Sequence, residues 1–389
     1  MSEPEKKLLE CCLSDFLGGR ASKSSSNCNW NTLYHLSEQQ QLSAVVYSQC
    51  KEFLPPPGTK FPNAYAAAVY SYMKRSDELK RISEAFHSHD IEFFLVKGPV
   101  IAQYYAWPAL RTMGDVDIVV HAEDRQHAHE LMTELSFKNA AKAQDREWQY
   151  YKDGLEYELH DRLIYEEISN RDPIEAFFQD PWQYVNNGEL DPSYHFLFLL
   201  VHLRKHFMNS GVGFRQFMDL ALMAQKEERL NWMWIEECLK ELELLPFASM
   251  CFGFIKRWFD VTIPLPVKLP DDAFLEETTE KIFAGGVFGF GDKANSKNAA
   301  INAARQGKHA KLAMAGRAAG LLFPSYDAMR ANEHYCFVDG KPFLLPAAWG
   351  YRWVRNAKLI LKRKRQAPEL FASKDELTKR DKFLKEWGL

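Results

Sequence analysis

The 389-residue sequence predicts an α+β protein, with a small mixed-sheet core embedded between N-terminal and C-terminal helical layers. Three observations predict it. From Glu5 to about His89 apolar residues recur at three- and four-residue spacing, the mark of amphipathic helices. Between Ile91 and His160 the period shortens to two, and short apolar runs end in glycine-containing turns, which reads as strands. From Pro192 helical spacing returns, rich in Phe and Trp. The implied organisation is 1–89 for an N-terminal helical region, 90–190 for the mixed core, 191–262 for a helical domain and 263–389 for a C-terminal region.

Taken in order, LLECCLSDFL, LSEQQQLSAVVYSQCKEFL and YAAAVYSYMKRSDELKRISEAFHSH each carry a helical apolar stripe. Pro55, Pro56 and Pro57 interrupt them, because consecutive prolines cannot continue a helix. IEFFLVKG, Ile91 to Gly98, is a buried strand ending in glycine, and GDVDIVV, Gly114 to Val120, is a second. AEDRQHAHELMTELSF is a helix with Ala128, Leu131 and Leu135 on one face. WQYYK and LEYELH flank Asp153-Gly154, a two-residue hairpin signal. HFLFLLVHLRKHF, GFRQFMDLALMAQ and WMWIEECLKELELLPFASMCFGFIKRWF form the later helices, and IPLPVKLP, Ile263 to Pro270, is a proline-punctuated linker.

Composition excludes several classes. Lys+Arg total 49 against 52 Asp+Glu, a net charge of −3, so a wholesale nucleic-acid coat is not expected. Seven cysteines, an odd number without a CxxC pair, predict neither a disulfide framework nor a structural zinc site. The first ten residues contain acids and no apolar core, so no secretory signal is expected. The longest strongly apolar stretch, Phe196 to Val201, is far short of the roughly 20 residues that span a bilayer. A cytoplasmic protein without a transmembrane segment is expected.

The chemistry lies in the mixed core. Asp115 and Asp117 stand two apart, so on a strand both carboxylates project from one face while Val116 and Ile118 fill the other. Two such carboxylates repel unless one is protonated or a cation sits between them. Mg²⁺, or Mn²⁺, takes one or two carboxylates together with phosphate oxygens and waters. In LEYELH, Glu156, Glu158 and His160 share the polar face. If that strand lies beside GDVDIVV, one of the two glutamates reaches the aspartates. Three carboxylates around metal ions suit in-line displacement at phosphorus. Gly98 would let backbone N–H groups approach a phosphate, with Lys97 and Arg111 supplying positive charge nearby.

FLVKGPVIAQYYAWPALRTMGDVDIVV followed by YELHDRL resembles the uncharacterised nucleotidyltransferase family of the DNA polymerase β-like superfamily. HLRKHFMNSGVGFRQFMDL resembles that family's helical segment, and FPSYDAMR and PFLLPAAWGYRW do so more loosely. The resemblance covers about 91–223 and extends weakly to about 355. It implies a nucleotidyltransferase core in which Asp115, Asp117 and Glu158 hold metal and carry catalysis. It further implies a nucleoside triphosphate bound by Lys97, Gly98 and Arg111, with Lys205, His206, Arg215 and Asp219 lining the cleft. The acceptor is left open among small molecule, protein and RNA. Pro99 stands where the superfamily carries a second small residue, and Gly98 lies farther from Asp115 than in compact members.

Other signals are weaker. His202 and His206 are spaced to share a metal, but HLRKH has no glutamate at its second position, so a HExxH protease is excluded. GGVFGFG lacks the GxxxxGK[ST] pattern and reads as a connection or lid. From Tyr351 to Gln366 seven Lys and Arg residues occur with no acid. That basic helix is a solvated face or a docking surface for an anionic partner such as RNA, an acidic polymer or membrane headgroups. Besides the transferase, two readings follow: a catalytically silent nucleotide- or partner-binding module, favoured by Pro99, and a polynucleotide-tailing enzyme using the basic helix.

Overall fold

A computed structural model describes residues 3–20, 28–53, 58–139, 148–164, 173–209, 211–286, 319–320, 322–330, 334–361 and 374–389. Most of GGVFGFG and the end of the basic 351–366 segment lie outside them. The chain divides into one unit of Met1–Lys205, Val212–Val287 and Gly388, and a second of His206–Gly211, Phe288–Trp387 and Leu389.

The first unit begins with α1 (Glu3–Leu17), α2 (Trp30–Gln39), α3 (Ser43–Cys50) and the long α4 (Phe61–Ser88). β1 (Phe93–Val96), the short α5 (Gly98–Ala102), β2 (Asp117–Val120), α6 (Arg125–Glu134), β3 (Lys138–Asn139), β4 (Trp148–Lys152) and β5 (Leu155–His160) form the mixed core. After α7 (Pro173–Phe177) and a hairpin of β6 (Val185–Asn186) and β7 (Glu189–Leu190), the chain is helical. Its helices are α8 (Pro192–Asn209), α9 (Phe214–Lys226), α10 (Trp232–Glu241), α11 (Leu245–Phe259) and α12 (Asp272–Gly285).

The five-stranded sheet has the order β1-β2-β5-β4-β3. β2 runs antiparallel to β1 and parallel to β5, and the rest is antiparallel. Asp153 and Gly154 turn the β4–β5 hairpin with φ of 51° and 81°, the doubly positive pair of a type I′ turn. Period two decides the two faces. Val116, Ile118 and Val120 pack with Leu155, Tyr157 and Leu159 against Ile82 and Phe86 of α4 and Ala128, Leu131 and Met132 of α6. Leu135 packs at the margin of this core, just past the helix, and Met132 takes the fully buried position. That apolar face leaves Asp115, Asp117, Glu158 and His160 on the other.

Several boundaries differ from the sequence reading, among them the LSEQQQLSAVVYSQCKEFL run, which splits into α2 and α3 with Gln41 at φ 55° between them. β2 begins at Asp117 rather than Gly114. Asp115 therefore precedes the strand, although Val116 already donates to Glu156 O and accepts from Glu158 N. The single run from Trp232 to Phe259 breaks into α10 and α11, with Glu243 at φ 55° between them. Pro246 explains the break, since its ring is tolerated in a helix's first turn but not in its interior.

The IPLPVKLP segment packs down on α11. Lys268 N donates to Ser249 O at 2.9 Å, and a Cβ on Gly253 would stand 1.9 Å from Lys268 O. Gly253→Ala is thus expected to cost about 1–3 kcal/mol or more by forcing strap and helix apart, read as a lower unfolding midpoint in urea.

In the second unit, α13 (Tyr326–Arg330), α14 (Leu345–Leu361) and α15 (Lys374–Glu386) are the helices above one turn among the described residues. Met329, Tyr335, Val338 and Ala348 form its small core. On α14, Trp349 and Trp353 donate to Pro324 O and Leu322 O. Among the described residues no helix is long and apolar enough to cross a membrane.

Candidate active site

Sheet register assembles the site. Asp117, the first residue of β2, pairs with Val96 on one side and with Glu158 on the other. The parallel register thus selects Glu158 as the neighbour of Asp117. Glu156 lies two residues back, where it accepts the Tyr151 hydroxyl at 2.9 Å. His160 follows on the same face as Glu158. Ligand atoms of Asp117, Glu158 and His160 all lie within 4.8 Å of one another. Asp115 stands beside this cluster at the entrance to the strand.

Asp117 is 1% exposed, yet its carboxylate stays charged. Lys97 Nζ donates to Oδ1 at 2.6 Å and His160 Nε2 lies 3.1 Å from the same oxygen. Burial pushes this carboxyl upward, but the two cations outweigh it and hold it well below the usual range. Burial likewise opposes ionisation of Glu158, and His160 at 3.4 Å and the Gln149 amide at 3.1 Å bring it down. Asp115 moves the other way, raised first by burial and then by Asp117. The unequal carboxylates are a consequence of the cations sitting on Asp117 rather than on Asp115.

His160 is the residue that sequence reasoning placed on the right face without giving it a role. Burial lowers its pKa, but bonds to Asp117 and Glu158 prevail and raise it from 6.5 to about 9. A raised folded-state value stabilises the protein below the unfolded value of 6.5 and ceases to do so as pH rises through about 9. The depressed Asp117 contributes above the ordinary carboxylate range and is lost in acid. His160→Gln is therefore expected to lower the melting temperature most near pH 6, with the gap to wild type closing above about pH 9. Melting curves across that range check it.

Lys97 joins β1 to α5 with φ 54° and ψ −114°, a conformation that costs a non-glycine residue about 1–3 kcal/mol. Its N–H donates to His195 Nε2 at 3.0 Å. Burial first, then Arg111 and Lys97, lowers His195 to about 3, so the ring is neutral and keeps its proton on Nδ1. The imidazole from α8 thus anchors the strained turn that aims Lys97 at Asp117. Gly98 is fixed by packing: a Cβ there would meet Met113 Sδ at 2.8 Å and Arg111 Nη1 at 3.3 Å.

The remaining candidates fall into place around the 111–115 loop. Arg111 is buried, with Nε and Nη2 on the two Asp219 oxygens at 2.9 and 2.8 Å, and Tyr105 donates to the same carboxylate. Arg215 donates to Thr112 O at 2.8 Å and also bonds the Gln41 side chain. Both arginines therefore hold the loop that delivers Asp115. Lys205 is exposed on α8, and His206 falls in the second unit. His195 had no signal beyond a histidine on an apolar helix.

A family model described as an uncharacterised nucleotidyltransferase matches residues 26–260, more than half of the chain. No curated protein and no solved structure matches. The matched span holds both Asp115 and Asp117, the β5 residues Glu158 and His160, and the supports His195, Arg111 and Asp219.

Proposed function

Because the chain belongs to this nucleotidyltransferase family, we propose that it transfers a nucleoside monophosphate from a nucleoside triphosphate to an acceptor hydroxyl, releasing pyrophosphate. The observation that carries this reading is the parallel register that sets Glu158 beside buried Asp117, with Asp115 next to them.

The donor set fits a hard divalent ion. Two ionised carboxylates and a neighbouring Asp115 match the needs of Mg²⁺ or Mn²⁺, and the imidazole of His160 can join once it loses its proton. Asp115, Asp117 and Glu158 would hold the ion, which supplies positive charge against the negative charge gathering on the phosphates. The chain's own groups do the rest. Lys97, at the end of its constrained turn, exchanges Asp117 for a phosphate oxygen. The acceptor's hydroxyl proton passes to the Glu158 carboxylate and from there to solvent. The acceptor oxygen bonds the α-phosphorus as the α–β bridging bond breaks, and that electron pair leaves on pyrophosphate. Arg111 and Arg215 keep the Asp115 loop in place.

One observation favours a second reading. Lys97 and His160 already neutralise Asp117, which suits a silent module that binds nucleotide without turnover. Following labelled ATP, GTP, CTP and UTP with Mg²⁺ or Mn²⁺ separates the two. Pyrophosphate release by wild type and none by the Asp115→Asn, Asp117→Asn double variant is expected. Binding without release would favour the module, and turnover by the double variant would sink the mechanism.

A further inference from the structure

Beyond Phe61, which is buried against Trp30, Tyr34 and Tyr47, the early turns of α4 border a groove. Its volume is about 630 Å³, within the roughly 300–1,000 Å³ range of small-molecule sites. Ala64, Ala67, Ala68 and Ser71 make the floor, and Tyr34 and Glu38 of α2 stand opposite. These α4 residues recur at three- and four-residue spacing, the stripe that buries Ile82 and Phe86 farther along the same helix. Small side chains in that stripe are what leave the space open.

Charge is placed at the two ends. Lys60 lines the outer end, exposed to solvent, and Arg75 lines the inner end. Fifteen residues of helix separate them, roughly 22 Å at 1.5 Å per residue. Glu38 is engaged by the Tyr34 hydroxyl at 2.6 Å. Arg111 also lines the groove, but its charge is matched by Asp219. Arg75 makes no ion pair among the described residues, and Asp115 acts on it only at longer range. Its Nη2 donates to Gly114 O at 3.0 Å, and its buried Nε has no hydrogen-bond partner. The guanidinium lines the cavity without a close carboxylate, so its solvent-facing edge can donate a charge-assisted bond to an anion.

The inner end adjoins the catalytic loop. Thr112 and Met113 close the groove, and Asp115 follows two residues later. Met113 Sδ and Arg111 Nη1 fill the space over Gly98, so their side chains stand between the groove and the Lys97–Gly98 turn. In-line displacement requires the attacking and leaving groups to approach phosphorus from opposite sides. With phosphates gathered at Lys97, the groove offers the acceptor an approach from the Asp115 side, where Arg75 lies within electrostatic reach of that carboxylate.

We infer that this groove binds the acceptor, a small hydroxyl-bearing molecule held at the inner end through a phosphate or carboxylate by Arg75. This rests on the transferase reading for its role, but the binding itself does not depend on turnover. Ribose 5-phosphate, gluconate and neutral ribose are therefore titrated calorimetrically into the metal-free, nucleotide-free protein. At least one anionic probe is expected to bind about tenfold more tightly than ribose, and which one does identifies the anion. Arg75→Gln is expected to weaken that probe about tenfold, whereas Lys60→Ala, roughly 22 Å away along the helix, should change it less than about twofold. Ala68→Trp, which fills the floor, is expected to abolish probe binding while leaving affinity for Mg²⁺ with a non-hydrolysable triphosphate within twofold. Equal binding of all three probes, or none, overturns the proposal. So does loss of triphosphate binding in Ala68→Trp, which would make the groove the nucleotide's own. If the anion binds as expected but no nucleotide is ever turned over, the transferase reading fails and the site stands.

Discussion

Replacing Asp219 by alanine is expected to lower unfolding free energy by about 3–5 kcal/mol, the cost of leaving one member of a buried ion pair without its partner. Asp219 and Arg111 are 5% and 7% exposed and meet through two parallel bonds. Removing the carboxylate strands a guanidinium that burial already penalises, and it also releases the Tyr105 hydroxyl. The reverse change, Arg111→Met, strands the carboxylate and is expected to cost a similar amount. The paired change Arg111→Met, Asp219→Leu should recover most of the loss, because well-packed apolar residues often replace a buried pair without penalty. Urea unfolding of the two single variants and the double variant measures the coupling. Additive losses would show that the pair is not acting as a unit. The same change has a functional arm. Arg111 Nη1 lies beside Gly98 and the residue opens the loop that ends at Asp115, so Asp219→Ala should depress turnover even at temperatures where the protein remains folded.

That pair also marks the limit of what the sequence reveals. WQYYK and LEYELH coincide with β4 and β5, and the Asp-Gly turn forms as composition requires, because period and turn chemistry are local properties. The Asp-x-Asp pattern likewise put Asp115 and Asp117 on the polar side of the sheet. The choice between Glu156 and Glu158 was not local. It depends on the register of a parallel pairing whose two strands are joined through a helix and a hairpin, and period two allows either. The supports lie farther still. Arg111 finds its carboxylate 108 residues on, and Lys97 finds His195 across 98 residues. A lone histidine on the apolar stripe of α8 looks like core, and only the meeting of α8 with β1 makes it the clamp on Lys97. Arg111, expected from sequence to bring positive charge near the phosphates, is in the structure buried and paired with Asp219.

Asp117→Asn is expected to reduce nucleotide turnover by at least about 10³-fold, on the scale of losing a group that stabilises charge in the transition state. The isosteric amide keeps the packing of β2 but removes the charge that Lys97 and His160 answer. Asp117 is the largest favourable influence on the His160 pKa, through a bond at 3.1 Å. His160 in the variant should therefore titrate well below about 9, toward the value that its burial dictates. Lys97, which owes its raised pKa to Asp117 against the cost of burial, should lose that support as well. Two readouts then separate a chemical role from a structural one. Proton NMR of the His160 ring follows the electrostatic change, and paramagnetic broadening by Mn²⁺ follows the donor set. If Asp117 is a metal ligand, broadening at His160 and Glu158 weakens in Asp117→Asn at a temperature where the variant remains folded. If turnover survives and Mn²⁺ still broadens the same resonances, Asp117 serves only to balance Lys97 and His160, and the chemistry must sit elsewhere in the core.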